Sequence, residues 1–211
     1  MFETAIITIF SLIVLLFSVI IHELAHGSVA YSLGDPTAKY AGRLTLNPLK
    51  HLDPLGSIIL PLLLFISGSS ILIGWAKPVP INPYNFKDQK WGTLKVSIAG
   101  PLTNFGVAIL FGLLIRFLPA SFFLLAPGML IIFSFVVQIN IMLAIFNLLP
   151  IPPLDGSWIL FSLLPPRFEK FKMFVSQYGM FILLFLILFN GLAGIGIMVR
   201  FLFQIITGVA L

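Results

Sequence analysis

Three side chains in one short stretch have the types and spacing to act together. His22, Glu23 and His26 lie in VIIHELAHGS, residues 19–28. Residues four apart share one face of a helix, so both imidazoles project the same way. That spacing suits two ligands on one Zn²⁺. A glutamate directly after the first histidine can reach a metal-bound water without ligating the metal. The chain has only three histidines, and two of them fall in this pattern. The stretch also ends an apolar run long enough to cross a bilayer. Ionisable groups there cost about 2.5–3.5 kcal/mol apiece on insertion scales and are normally functional.

A catalytic zinc site needs a third protein ligand and an open position. The remaining acids are Glu3, Asp35, Asp53, Asp88, Asp155 and Glu169. Only Asp155 sits in a break within apolar sequence, at PIPPLDG. Prolines remove helix hydrogen bonds, and Gly156 permits a tight turn or a close backbone approach. Irregular backbone at membrane depth is tolerated where it lines a protein-buried or watery cavity. Asp155 would equally suit a helix N-cap for GSWILFSLL; beside the histidine pair the ligand reading prevails.

The elements that must position these groups are apolar. Of 211 residues, 59% are hydrophobic and 9% charged, against about 25% charged in a soluble domain. A chain this apolar cannot cover itself with polar surface, so an integral membrane protein is expected. The net charge of +5 lies in short loops and is no nucleic-acid footprint. Without cysteine, disulfides and thiolate metal sites are excluded. The expected fold class is an all-α polytopic membrane protein, with residues 1–211 as a single domain. Spans are expected over about 5–32, 94–117, 122–149 and 176–206. The first is read as a retained helix rather than a signal peptide, because no small-residue cleavage site ends it. Residues 37–50 alternate like a short β-hairpin. Residues 55–75 are apolar but broken by Pro61 and by Gly68-Ser69-Ser70. No internal repeat is visible, which argues against a transporter.

Together HELAHG, AGPLTN at 99–104 and FNLLPIPPLDG at 146–156 resemble the site-2 protease family of intramembrane zinc metalloproteases. The resemblance covers nearly the whole chain and is nearest to short prokaryotic members without PDZ or CBS domains. It implies His22, His26 and Asp155 as ligands of one Zn²⁺ per chain, and Glu23 as the catalytic acid/base. It implies hydrolysis of peptide bonds in or near transmembrane segments of membrane-protein or signal-peptide-remnant substrates. Asn147 matches the family asparagine eight residues before the ligand aspartate. Its amide can serve an oxyanion or an interhelical hydrogen bond, with equal weight. Asn140, two helical turns earlier, is expected to extend the polar lining. Gly100, Pro101 and Asn104 are expected to allow close helix packing near the site. A zinc-binding membrane regulator that never cuts is the alternative, disfavoured because Glu23 is not needed to bind zinc.

The metal also constrains topology. It ties the end of the first span to the end of the third, which meet at one depth only if 55–75 does not cross, as a re-entrant or half-buried segment. Every Lys and Arg except Arg116 and Arg200 then shares one side, cytoplasmic by the positive-inside rule. The expected arrangement is four spans of a prokaryotic cell membrane, both termini outside, with the site nearer the cytoplasm. The segment GRLTLN, 42–47, is a candidate edge for pairing with unwound substrate. His51 and Asp53 are read as interfacial or turn residues.

Overall fold

The computed structural model describes residues 2–59, 62–63, 66–67 and 77–210. Among these the chain is helical, without strands. Its helices are α1 (Phe2–Ser32), α2 (Thr37–Tyr40), α3 (Gln89–Phe117), α4 (Ala120–Leu125), α5 (Pro127–Asn147), α6 (Asp155–Leu163), α7 (Glu169–Leu188) and α8 (Ala193–Thr207). Four helical stretches are long and apolar enough to cross a membrane: Ile6–Ser32, Gln89–Phe117, Gly128–Asn147 and Pro166–Leu188. Their outward faces carry large apolar side chains such as Ile9, Leu102, Leu110 and Phe181. In water such faces would be a liability; against lipid they are the expected surface. The protein is an integral membrane protein.

α3 is the central helix, lying against α1 and α5, with α6 also packed on it. On α1 the buried positions Val14, Ser18, His22, His26 and Ala30 recur every four residues. One stripe therefore carries both packing residues and the two histidines. The apolar core joins Ala108 and Ile115 of α3, Phe133, Val137, Ile141 and Ile145 of α5, and Ile195 and Phe203 of α8. α3 starts cleanly because Asp88 accepts a hydrogen bond from the Trp91 amide at 3.1 Å. Pro101 inside α3 removes one backbone hydrogen bond beside the site.

Two expectations are corrected. The stretch 37–50 is not a hairpin. α2 is stopped by the turn at Gly42, whose φ is +64°. The Gly42 amide donates to the Lys39 carbonyl and the Arg43 amide to the Ala38 carbonyl, both at 2.9 Å. This pair of bonds is a Schellman stop. It spends the amides of Gly42 and Arg43, which a hairpin ladder starting there would need. Arg43 turns inward instead, donating to the carbonyls of Lys50, Lys77 and Pro78. Nor is 176–206 a single span. α7 ends at Leu188, and Asn190 takes the left-handed conformation with φ +57°. Asn190 donates to the Ile187 carbonyl at 3.3 Å and Gly191 to the Leu186 carbonyl at 2.7 Å, again a Schellman stop. α8 then restarts at Ala193. It ends beside the last turn of α3, where Arg116 donates to the Ile205 carbonyl at 2.8 Å.

The expectation that 55–75 re-enters rests largely on residues outside those described. Its first turn, Pro54–Ile59, is a short π-helix, capped by Asp53 through the amides of Leu55 and Gly56. His51 is fully buried and bonded to the Thr45 carbonyl at 2.8 Å, a loop residue rather than a member of the metal-binding group.

Asp35, just past α1, is also fully buried. It accepts from the Asn82 amide and the Asn85 side chain, each at 2.7 Å, and from the amide and hydroxyl of Thr37. Burial alone would push its carboxyl up, but these hydrogen bonds outweigh it and hold the group below the usual carboxylate value. A depressed folded-state value stabilises the fold above about pH 3.9, the unfolded value. That contribution is lost as pH falls through the folded value. Asp35→Asn is therefore expected to destabilise the protein by about 1–3 kcal/mol at neutral pH. It should also flatten the acid limb of stability below about pH 4, read from detergent-solubilised unfolding across pH. An unchanged acid limb would refute this.

Candidate metal centre

Three chain-distant groups converge at the inner end of the α1 stripe. His22 Nε2 lies 3.0 Å from His26 Nε2 and 3.0 Å from Asp155 Oδ2; His26 Nε2 lies 3.2 Å from the same oxygen. Both histidines are about 6% exposed and the Asp155 side chain 20%. They form a group able to hold a metal ion.

The protonation of the rings follows from their other nitrogens. His26 Nδ1 faces the Val96 carbonyl of α3 at 2.7 Å. A carbonyl only accepts, so Nδ1 carries the proton. His22 Nδ1 meets Asn104 Oδ1 at 2.6 Å. In the neutral rings both Nε2 atoms then present lone pairs toward each other and toward a carboxylate. Acceptors packed at 3.0–3.2 Å repel unless a proton or cation lies among them. A tetrahedral ion with bonds of about 2.0–2.1 Å spaces its ligand atoms about 3.3–3.4 Å apart. The observed triangle is nearly one face of that tetrahedron. Two neutral imidazoles and one carboxylate also match the donor chemistry of Zn²⁺.

Asp155 is not the N-cap of α6. Leu154 occupies that position, without a side-chain cap, and Asp155 is the first helical residue. Its charge is favoured by the helix dipole there. Gly156 makes the placement possible. A Cβ on it would fall within 2.5 Å of the Leu148 and Leu149 carbonyl groups, so only glycine lets α6 start against the end of α5. Gly100 does the same for α1: a Cβ there would stand 2.5 Å from His22 Nε2 and Cε1, and closer still to His26 Nε2.

Glu23 lines the cavity that holds the triad. Its carboxylate accepts a hydrogen bond from the Val79 amide at 2.8 Å. This cavity, about 380 Å³, is also lined by Asn147 and walled by Val79, Phe86, Thr93 and Trp158. Asn147 uses one amide hydrogen on the Leu143 carbonyl at 3.0 Å. Asn140 lies deeper, fully buried and not on the cavity wall; it bonds Asn104, Ser18 and Val136. Asn104 touches His22 directly, a contact beyond the packing role expected of it. The Val79 amide and Val96 carbonyl are backbone groups with no residue-type signature.

The family model described as Peptidase family M50 matches residues 123–186. Relatives named "Putative zinc metalloprotease" include YwhC of Bacillus subtilis (strain 168). It is 44% identical over 181 residues, covering 84% of this chain and 78% of YwhC. Another is Rip2 of Mycolicibacterium smegmatis, 31% identical over 82% of this chain and 64% of Rip2. A third is MJ0611 of Methanocaldococcus jannaschii, 43% identical over 31% of this chain and 32% of MJ0611. This chain thus spans under two thirds of Rip2. No solved structure matches.

Proposed function

Starting from the premise that the chain belongs to peptidase family M50, the site-2 protease family, we propose that it is an intramembrane zinc metalloendopeptidase. Its substrates are transmembrane segments of membrane proteins or signal-peptide remnants. The observation that carries this reading is the triad itself: two imidazole Nε2 atoms and a carboxylate oxygen facing one another at 3.0–3.2 Å, with Glu23 on the same cavity.

His22, His26 and Asp155 would hold the ion. Bound Zn²⁺ supplies Lewis-acid chemistry, acidifying water and polarising a peptide carbonyl. Glu23, held by the Val79 amide, takes the proton of the attacking water and returns it to the leaving amine. Asn147 keeps a second amide hydrogen for the oxyanion. Phe86 and Trp158 supply apolar walls for side chains of an unwound substrate. The basic loops favour a cytoplasmic placement of this end of the bundle.

The test is reconstitution in liposomes with a panel of single-span helices. Cleavage within or beside the membrane segment is expected, lost on chelation and restored by Zn²⁺. A protein that binds zinc and cuts none of the panel would instead be a regulator. Cleavage of soluble peptides alone would also overturn the proposal.

A further inference from the structure

Behind the triad lies a buried polar chain whose two asparagines do not line the cavity. His22 Nδ1 meets Asn104 Oδ1 at 2.6 Å. Asn104 Nδ2 donates to Asn140 Oδ1 at 2.8 Å and to the Ser18 carbonyl at 3.3 Å. Asn140 Nδ2 donates to Ser18 Oγ and to the Val136 carbonyl, each at 2.9 Å. Asn104 and Asn140 are both fully buried.

The sense of every bond is forced. The Val136 carbonyl only accepts, so the Asn140 NH₂ faces it and Asn140 Oδ1 faces Asn104. The Ser18 carbonyl and Asn140 Oδ1 then demand the NH₂ of Asn104. Its remaining oxygen is left for His22. We infer that Asn104 and Asn140 act as positioning residues for His22, a two-amide relay from α5 through α3 that fixes its ring with Nε2 free for a metal. A lone asparagine could flip and present its NH₂ to the ring, which would reverse the tautomer. The shorter Asn140 link, with the longer one to the Ser18 carbonyl, removes that option. Outer partners of a ligating histidine generally set its tautomer and basicity. The inference rests on His22 being a zinc ligand.

The test is zinc affinity by chelator competition on the purified full chain, with the Co²⁺ visible spectrum as a second readout. Asn104→Leu, close in size but without an acceptor, should raise the zinc dissociation constant about 10–100-fold. Asn140→Leu should raise it less, since Asn104 keeps its oxygen and loses only its fixed orientation. Asn104→Asp should bind zinc more tightly than Asn104→Leu. It retains the acceptor for His22 and loses only the NH₂ that faces Asn140 Oδ1 and the Ser18 carbonyl. A purely structural role predicts the opposite order, because a buried carboxylate destabilises more than a leucine. That order, or unchanged affinity in Asn104→Leu, overturns the relay. Should Asn104→Leu fail to fold, Asn140→Leu decides: a raised zinc dissociation constant there supports the relay, and an unchanged one overturns it. An unmodified chain that holds no zinc overturns the metalloprotease reading and the relay with it. Zinc held normally by the unmodified chain and by Asn104→Leu alike overturns the relay alone.

Discussion

Glu23→Gln is expected to lose cleavage by about 10²–10⁴-fold in kcat, the usual worth of a general acid–base group, while still holding one zinc. The geometry favours so clean a result. The glutamine carbonyl can accept the Val79 hydrogen bond that now fixes the carboxylate at 2.8 Å, so side chain and wall keep their places. What disappears is the capacity to take a proton and return it. The metal-holding group of His22, His26 and Asp155 does not include Glu23, so zinc content should not change. Zinc per chain and single-turnover cleavage of a reconstituted helix measure the two effects separately. Near-normal turnover would exclude Glu23 as the acid/base. Loss of zinc together with activity would make it a ligand instead.

Gly100→Ala is expected to strip the site of metal although it adds one methyl group. In an open helix position alanine would stabilise by about 0.8–1.0 kcal/mol. Here the new carbon would stand 2.5 Å from His22 Nε2 and inside that distance of His26 Nε2, in a helix packed between α1 and α5. The backbone of α3 has little room to retreat, so the rings must move. A displacement near 1 Å in such a constellation costs about 10²-fold. We expect zinc affinity and activity to fall together by at least about that factor, with helicity retained. Zinc content after dialysis against a weak chelator reads the effect. A Gly100→Ala variant as active as the unmodified chain, and more stable, would mean that the rings occupy other positions in the working enzyme.

Much of the site was legible because its chemistry is carried by residue type. Two histidines at helical spacing and one aspartate in a proline-broken stretch stand out in an apolar chain, and the structure brings the three together. The spans were legible by length, except where a stop signal was overlooked. Asn190-Gly191 is a readable helix end, yet the apolar residues on both sides masked it. In the same way Tyr40-Ala41-Gly42 reads as turn chemistry, and the alternation after it suggested a strand that Arg43 prevents by burying its guanidinium. Other features were beyond reach. The Val79 amide and Val96 carbonyl exist at every residue, and only folding selects these two. Asn104 was visible as a polar residue near small ones, but its partner depends on how α1 and α3 are rotated against each other.

The distance along the chain between the two halves of the triad has a consequence for biosynthesis. His26 and Asp155 are 129 residues apart, which at about 5–20 residues per second takes a ribosome about 6–26 s. Through that interval a nascent chain already inserted by its first helix holds His22, Glu23 and His26 but not Asp155, the third ligand of the proposed site. It cannot be a complete hydrolase beside the other nascent membrane proteins around it. With Asp155 as the third ligand proposed above, late delivery of that residue withholds activity until the site can close, a safeguard built into the order of synthesis.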